Sequence, residues 1–228
     1  MSDAAAHALR PVLAATARPR LRGWSHIGFV VPAVVATAIL VWLARGDAGR
    51  QLTLLVYGAS SVALFTISGL YHVGTWSPPV RARWRRLDHS TIFLLIAGTY
   101  TPITLTVLSD GWKWAIFSVV WGLAIAGVVM VASPLRVPRR VLAGTYVAMG
   151  WVAIVALPVI ARSVSVTAFA LMLAAGAVYS LGATCYATKR PRLSPRWFSY
   201  HEVFHILVIS ANALFYTVMV VEVVPHAH

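Results

Sequence analysis

The sequence predicts an all-α, polytopic membrane protein: a seven-transmembrane-helix bundle with its N-terminus cytoplasmic and its C-terminus outside. Three observations lead there. First, apolar residues make up 59% of the 228 and charged residues only 11%, against roughly 45–50% and 25% in average soluble chains. Mean hydropathy is +0.77, and a soluble domain this short cannot keep so much apolar surface from water. Second, the apolar residues fall into seven runs, each near the roughly 20 residues that carry a helix across the hydrocarbon core. Third, Lys and Arg collect in alternate connections, which orients such a bundle. The same composition excludes disorder, collagen, coiled coil and a disulfide scaffold. The lone Cys185 cannot form an internal disulfide.

The runs follow in order. Residues 1–23 read as a basic cytoplasmic tail without the pattern of a cleavable signal peptide. The transmembrane domain covers 24–223, and 224–228 form a C-terminal tail. Span 1 is 25–44 and contains Pro32; span 2 is 52–73 and ends in TISGLYH. Span 3 is 89–108, opens in RRLDHSTIF and carries Pro102; span 4 is 112–132. Span 5 is 141–160 with Pro158, span 6 is 165–186, and span 7 is 201–222 with HEVFH at its start. Proline inside a bilayer helix is tolerated where neighbours satisfy the freed backbone.

Positive charge sets the direction. The N-terminal tail carries Arg10, Arg18, Arg20 and Arg22, and the connection after span 2 carries Arg81, Arg83, Arg85 and Arg86. The connection after span 4 carries Arg136, Arg139 and Arg140, and that after span 6 carries Lys189, Arg190, Arg192 and Arg196. Fifteen of the 19 positive residues therefore share one side, which is the cytoplasmic one. The net charge of +13 is a matter of topology rather than of a nucleic-acid partner. Arg-rich cytoplasmic loops of this kind attract anionic lipid headgroups.

Ionisable residues at membrane depth are costly and point to function. Asp3, Asp47, Asp110 and Glu222 fall in tails or loop ends, where water suffices. His7, His226 and His228 lie in tails, and His26 at the mouth of span 1. Asp88, His89, His72, His201, Glu202 and His205 instead converge on one membrane face from three helices. His201 and His205 stand at i and i+4 and share a helix face, so both can grip one metal ion. Ser68 and His72 repeat that spacing. Three imidazoles leave a fourth tetrahedral position for water, the catalytic zinc pattern. Asp88 can then accept the proton of that water or orient it, and Ser68 can hold it or a developing oxyanion. Tyr57, Ser61, Asn212 and Tyr216 continue the polar stripes deeper, where hydrogen bonds between helices explain Ser61 and Asn212. HEVFH also matches the HExxH helix of zinc metalloproteases. That reading needs a distant third acid, and the Asp110-Gly111 pair lies on the opposite membrane face.

SGLYH ending span 2, LDHSTIFLLIAGTYTP in span 3 and HEVFH opening span 7 together resemble the bacterial hemolysin III family. This is the prokaryotic branch of the progestin and adipoQ receptors (PAQR), within a superfamily that includes the alkaline ceramidases. The resemblance runs over all seven spans. It implies a multi-pass protein of the bacterial plasma membrane with Zn2+ just inside the cytoplasmic leaflet. By position it implies His72, His201 and His205 as zinc ligands, Asp88 as the acid contacting bound water, and Ser68 beside that water. It also implies a kink at Pro102, whereas Glu202 is outside the family motif. Three functions compete: a zinc-dependent hydrolase of a lipid amide or ester bond, a non-catalytic zinc-stapled sensor of membrane state, and a pore-forming haemolysin. A membrane lipid is the expected substrate or ligand.

Overall fold

The computed structural model describes residues 19–134, 137–194 and 196–226; Asp3, His7, Arg10, Arg18, Arg136 and His228 lie outside the described residues. Within them, seven helical stretches are long and apolar enough to cross a membrane. The first is α1 (Trp24–Leu43). The second, α2 (Ala48–Val73), starts four residues before the predicted span because Asp47 caps it, accepting from the Arg50 amide at 2.8 Å.

The third span corrects the sequence reading. α3 (Pro78–Pro102) begins eleven residues earlier than predicted, with Pro78 in its first turn. Arg81, Arg83, Arg85 and Arg86 therefore stand on helix rather than in a loop. A run of charges hides a helix from a hydropathy criterion, although Arg and Leu favour helix and Pro suits its first position. Pro102 ends the α-helical part, and the chain continues as a turn of π-helix over Ile103–Val107, a common consequence of losing a backbone donor.

α4 (Asp110–Ala132) crosses next. The fifth crossing is broken: α5 (Arg139–Gly150) gives way to a 3-10 turn over Val152–Ala156, then to α6 (Leu157–Ser163), whose start holds Pro158. The break leaves backbone groups without helical partners, and these must be satisfied away from water. The Tyr100 hydroxyl does so, donating to the Gly150 carbonyl at 2.7 Å and accepting from the Ala153 amide at 3.1 Å. α7 (Val166–Thr188) is capped by Ser165, and α8 (Tyr200–Val218) runs into a π-turn over Met219–Val223.

The helices close into a ring: α1 on α2, α2 on α3, α3 on α4 and α5, α5 on α7, α7 on α8, and α8 back on α1. α3 is the central helix, with 67% of its most apolar window buried against 17% for α1. Small residues allow close approach, as at Gly69, where a Cβ would come 2.7 Å from the Ile27 side chain. Large apolar side chains such as Val31, Ile125 and Val155 point outward and are 60–69% exposed, as a lipid-facing surface requires and a water-facing one avoids.

The Arg-rich segments meet at one end of this bundle. The Arg20 amide donates to the Arg196 carbonyl at 3.0 Å, and Arg139 donates to the Ala187 carbonyl at 3.2 Å. At the other end Arg50 donates to the carbonyls of Val224 and His226. Glu222, within the last π-turn, accepts there from the Ser165 amide, so both it and Asp47 bond protein groups, where the sequence reading expected water to suffice.

Candidate metal centre

The local sequence sets each site residue in place. On α8, Ser199 and Glu202 form a reciprocal capping box, which starts the helix at Tyr200 and puts His201 and His205 on its first two turns. On α2, Ser68 and His72 occupy the last two turns, both buried. On α3, Asp88 lies three turns in and is buried.

These elements bring together His72, His201, His205, Asp88 and Ser68 around one cavity. One donor nitrogen from each of the three histidines lies within 4.8 Å of the others, so the group can hold a metal ion. His201 Nε2 stands 3.0 Å from His72 Nε2. Nitrogens around a tetrahedral zinc at about 2.0–2.1 Å are roughly 3.3 Å apart, so the spacing suits that ion. The donor set fits as well: imidazole suits zinc, as it suits copper, iron and nickel. The Asp88 carboxylate comes within 3.7 Å of His72 Nε2, and Ser68 lies beside that carboxylate.

Glu202 faces elsewhere. Its Oε2 accepts from the Ser199 amide at 2.6 Å and from the Ser199 hydroxyl at 2.8 Å; its Oε1 accepts from Arg22 Nε at 3.1 Å. The carboxylate is thus used by the cap and by the chain before α1, which leaves HEVFH without the free base of a metalloprotease. Asp110 starts α4 after the far end of α3, roughly 28 Å along the bundle from Asp88.

A fourth histidine belongs to the cluster. The His26 ring stacks on His205, centroids 3.8 Å apart and planes within 5°, and its edge meets Phe65 at 5.2 Å. It is 2% exposed, and neither ring nitrogen has a hydrogen-bond partner among the described residues. Its partner lies on the last helix, so no spacing within α1 announces it.

Gly23 makes this approach possible. Its φ of +85° is in the left-handed region, and a Cβ there would lie 2.6 Å from the Cβ of His72. Residues 19–23 therefore form a strap across the site, held by Arg22 on Glu202 and by backbone bonds to Arg196 and Trp197.

The cavity has a volume of about 1010 Å³, at the upper end of ordinary ligand pockets. Arg81, Arg85, Arg86 and Arg139 line its mouth, the histidines and Asp88 lie below, and Tyr100, Trp151 and Phe215 line its depth. From Arg81 to Tyr100 the lining follows α3 for roughly 28 Å. Beside the metal centre, Leu64, Phe65, Leu95, Val208 and Ile209 form an apolar cluster. Tyr57 and Ser61 do not line the cavity: Tyr57 donates to Asn212 at 3.0 Å and Ser61 to Asn212 Oδ1 at 3.2 Å, fastening α2 to α8. Tyr216 packs into a separate apolar cluster around Tyr57 and Leu54.

The comparisons with known proteins converge on one family. The family model described as "Haemolysin-III related" matches residues 15–216. The chain belongs to the haemolysin-III related family. It is 33% identical over 185 residues to Hemolysin-3 of Bacillus cereus, covering 80% of each chain. It is 31% identical over 199 residues to the Hemolysin-3 homolog of Bacillus subtilis (strain 168), covering 83% of this chain and 88% of that one. The human monocyte to macrophage differentiation factor, a PAQR member, is 27% identical over 202 residues, or 85% of this chain and 79% of that one. Within this haemolysin-III family member, a multi-pass membrane protein, the His72–His201–His205 group lines the cavity.

Proposed function

We propose that the protein is a zinc-dependent hydrolase that cleaves an amide or ester bond of a membrane lipid at the cytoplasmic side of the bilayer. The observation that carries this is the Asp88 carboxylate, buried 3.7 Å from an imidazole of the three-histidine group, at the point where a cationic mouth meets an apolar interior. His72, His201 and His205 would hold Zn2+. That ion, when bound, supplies Lewis acidity and brings the pKa of water towards about 7. Asp88 accepts the proton of the attacking water and returns it to the leaving group. Ser68 orients the carboxylate or donates to the developing oxyanion. The long apolar cavity holds the acyl chain. Cytoplasmic placement is supported by the gathering of arginines at the site end.

A second reading rests on the position of the ligands. His72 and His201 are 129 residues apart and belong to different helices, so a metal staples the bundle and stabilises it even without turnover. The test is metal content and lipid turnover by purified protein in defined bilayers, for wild type and Asp88→Asn. The hydrolase reading expects one zinc per chain in both, and product from wild type alone. Zinc without turnover of any acyl lipid selects the staple, and release of entrapped dye without product selects the lytic activity that the Bacillus relative's name denotes.

A further inference from the structure

We infer that the cavity selects lipids with a phosphate close to the acyl bond, that is, glycerophospholipids rather than neutral acylglycerols or free fatty chains. This rests on the lipid-binding part of the proposed function and names its substrate class. One face of α3 carries the argument. Arg81, Arg85, Asp88, Ile92, Leu95 and Thr99 all line the cavity, so a single helical stripe passes from cationic to acidic to apolar. Arg85 precedes Asp88 by about 4.5 Å along the axis and Arg81 by about 10.5 Å. In a glycerophospholipid the phosphate is only a few bonds from the ester carbonyl, a separation on the order of one helical turn, about 5.4 Å. A carbonyl at the metal centre thus puts its phosphate at the level of these two guanidinium groups, while the chain runs along Ile92, Leu95 and Thr99.

Among the described residues, most of the charge at that level has no acidic counterpart. Arg22 is matched by Glu202. Arg81 lies over the Tyr71 ring at 5.1 Å and Arg139 bonds a carbonyl and the Tyr200 hydroxyl. Among the described residues, neither Arg81, Arg85, Arg86 nor Arg139 makes an ion pair with an acid. Topology alone explains positive charge at this end of the bundle, but it requires no particular helix face. Arg83 shows the difference: like Arg85 and Arg86 it is exposed on this helix, but unlike them it does not line the cavity. Guanidinium groups bind phosphate through paired, charge-assisted hydrogen bonds, and a group of them without an acidic partner among the described residues, at the mouth of a mostly apolar cavity, is complementary to an anionic lipid headgroup.

The experiment measures binding, so it is independent of turnover. Full-length protein in detergent is titrated with phosphatidylglycerol, with diacylglycerol of identical chains, and with glycerol phosphate alone, and bound lipid is counted by native mass spectrometry. Wild type is expected to bind phosphatidylglycerol at least about tenfold more tightly than diacylglycerol. The Arg81→Gln/Arg85→Gln variant loses that preference while keeping its affinity for diacylglycerol, which also shows that the cavity is intact. Arg85→Lys keeps part of the preference, and Arg83→Gln keeps all of it. Equal binding of the two lipids by wild type overturns the inference, as does an equal loss in Arg83→Gln. Glycerol phosphate binding as tightly as the lipid assigns the site to a soluble anion and overturns it too. A preference for phosphatidylglycerol without any hydrolysis leaves this inference standing and removes the hydrolase.

Discussion

Replacing Glu202 by Gln separates a structural carboxylate from a catalytic one. The side chain is 2% exposed and accepts three hydrogen bonds, two from Ser199 and one from Arg22, which is itself 20% exposed. Glutamine keeps one acceptor for Ser199 but loses the charge and turns a donor towards Arg22. Bonds to a charged group are worth about 1.5–3 kcal/mol and neutral ones about 0.5–1.5. The Ser199 cap therefore loses roughly 1–2 kcal/mol, and the partly solvated Arg22 pair roughly 1 more. A total of about 2–3 kcal/mol corresponds to a fall in Tm of roughly 4–12 °C for a chain of this length. The assay is thermal unfolding of detergent-purified protein, with metal per mole measured on the same sample. The expected result is a lower Tm with metal content equal to wild type. An unchanged Tm accompanied by loss of metal or of lipid turnover would refute the structural assignment and return Glu202 to the chemistry of the site.

Three further predictions concern the site and its supports. His205→Ala removes one of three ligands and should abolish stoichiometric metal and lower Tm to that of chelator-treated wild type; equal melting temperatures with and without chelator would contradict a stabilising metal. Gly23→Ala imposes a Cβ on a left-handed residue lying against His72, which costs roughly 1–3 kcal/mol and displaces the strap. Metal should then leave faster in a chelator competition, and an unchanged off-rate would show that the strap does not hold His72. Tyr100→Phe strips the broken fifth crossing of the hydroxyl that serves both Gly150 and Ala153, an unsatisfied-group cost of about 1–3 kcal/mol. Deuterium uptake should rise over residues 150–156, and unchanged uptake would mean that other groups replace it.

The features legible in the sequence were those written in local spacing. His201 with His205 and Ser68 with His72 are both one helical turn apart, so each pair announced its common face, and the run lengths announced the helices. Asp88 could be grouped with them because the alternation of arginines put all three helix ends on one side. What escaped was written elsewhere. The first eleven residues of α3 were hidden because their arginines lower hydropathy without opposing helix. His26 stands alone on α1, and only the closure of the ring, which brings α1 against α8, lays it on His205. The break after Gly150 had a marker in Pro158, but its position depends on Tyr100 reaching across from α3. For Glu202, HEVFH fixes the place on the helix and not the direction of the carboxylate, which Ser199 and Arg22 decide.

The separation of His72 from His201 also orders events during biosynthesis. At about 5–20 residues per second, the 129-residue step from His72 to His201 takes roughly 6–26 s to emerge. Throughout that interval the second span is in the bilayer with a single imidazole, a poor match for any metal. An ion held by all three histidines could be captured only after the last span has been threaded, and would then lock a nearly complete chain. Occupancy of a three-histidine site would therefore be a stamp of finished assembly: a chain truncated before His201 lacks two of the three imidazoles, however well its first six crossings have packed.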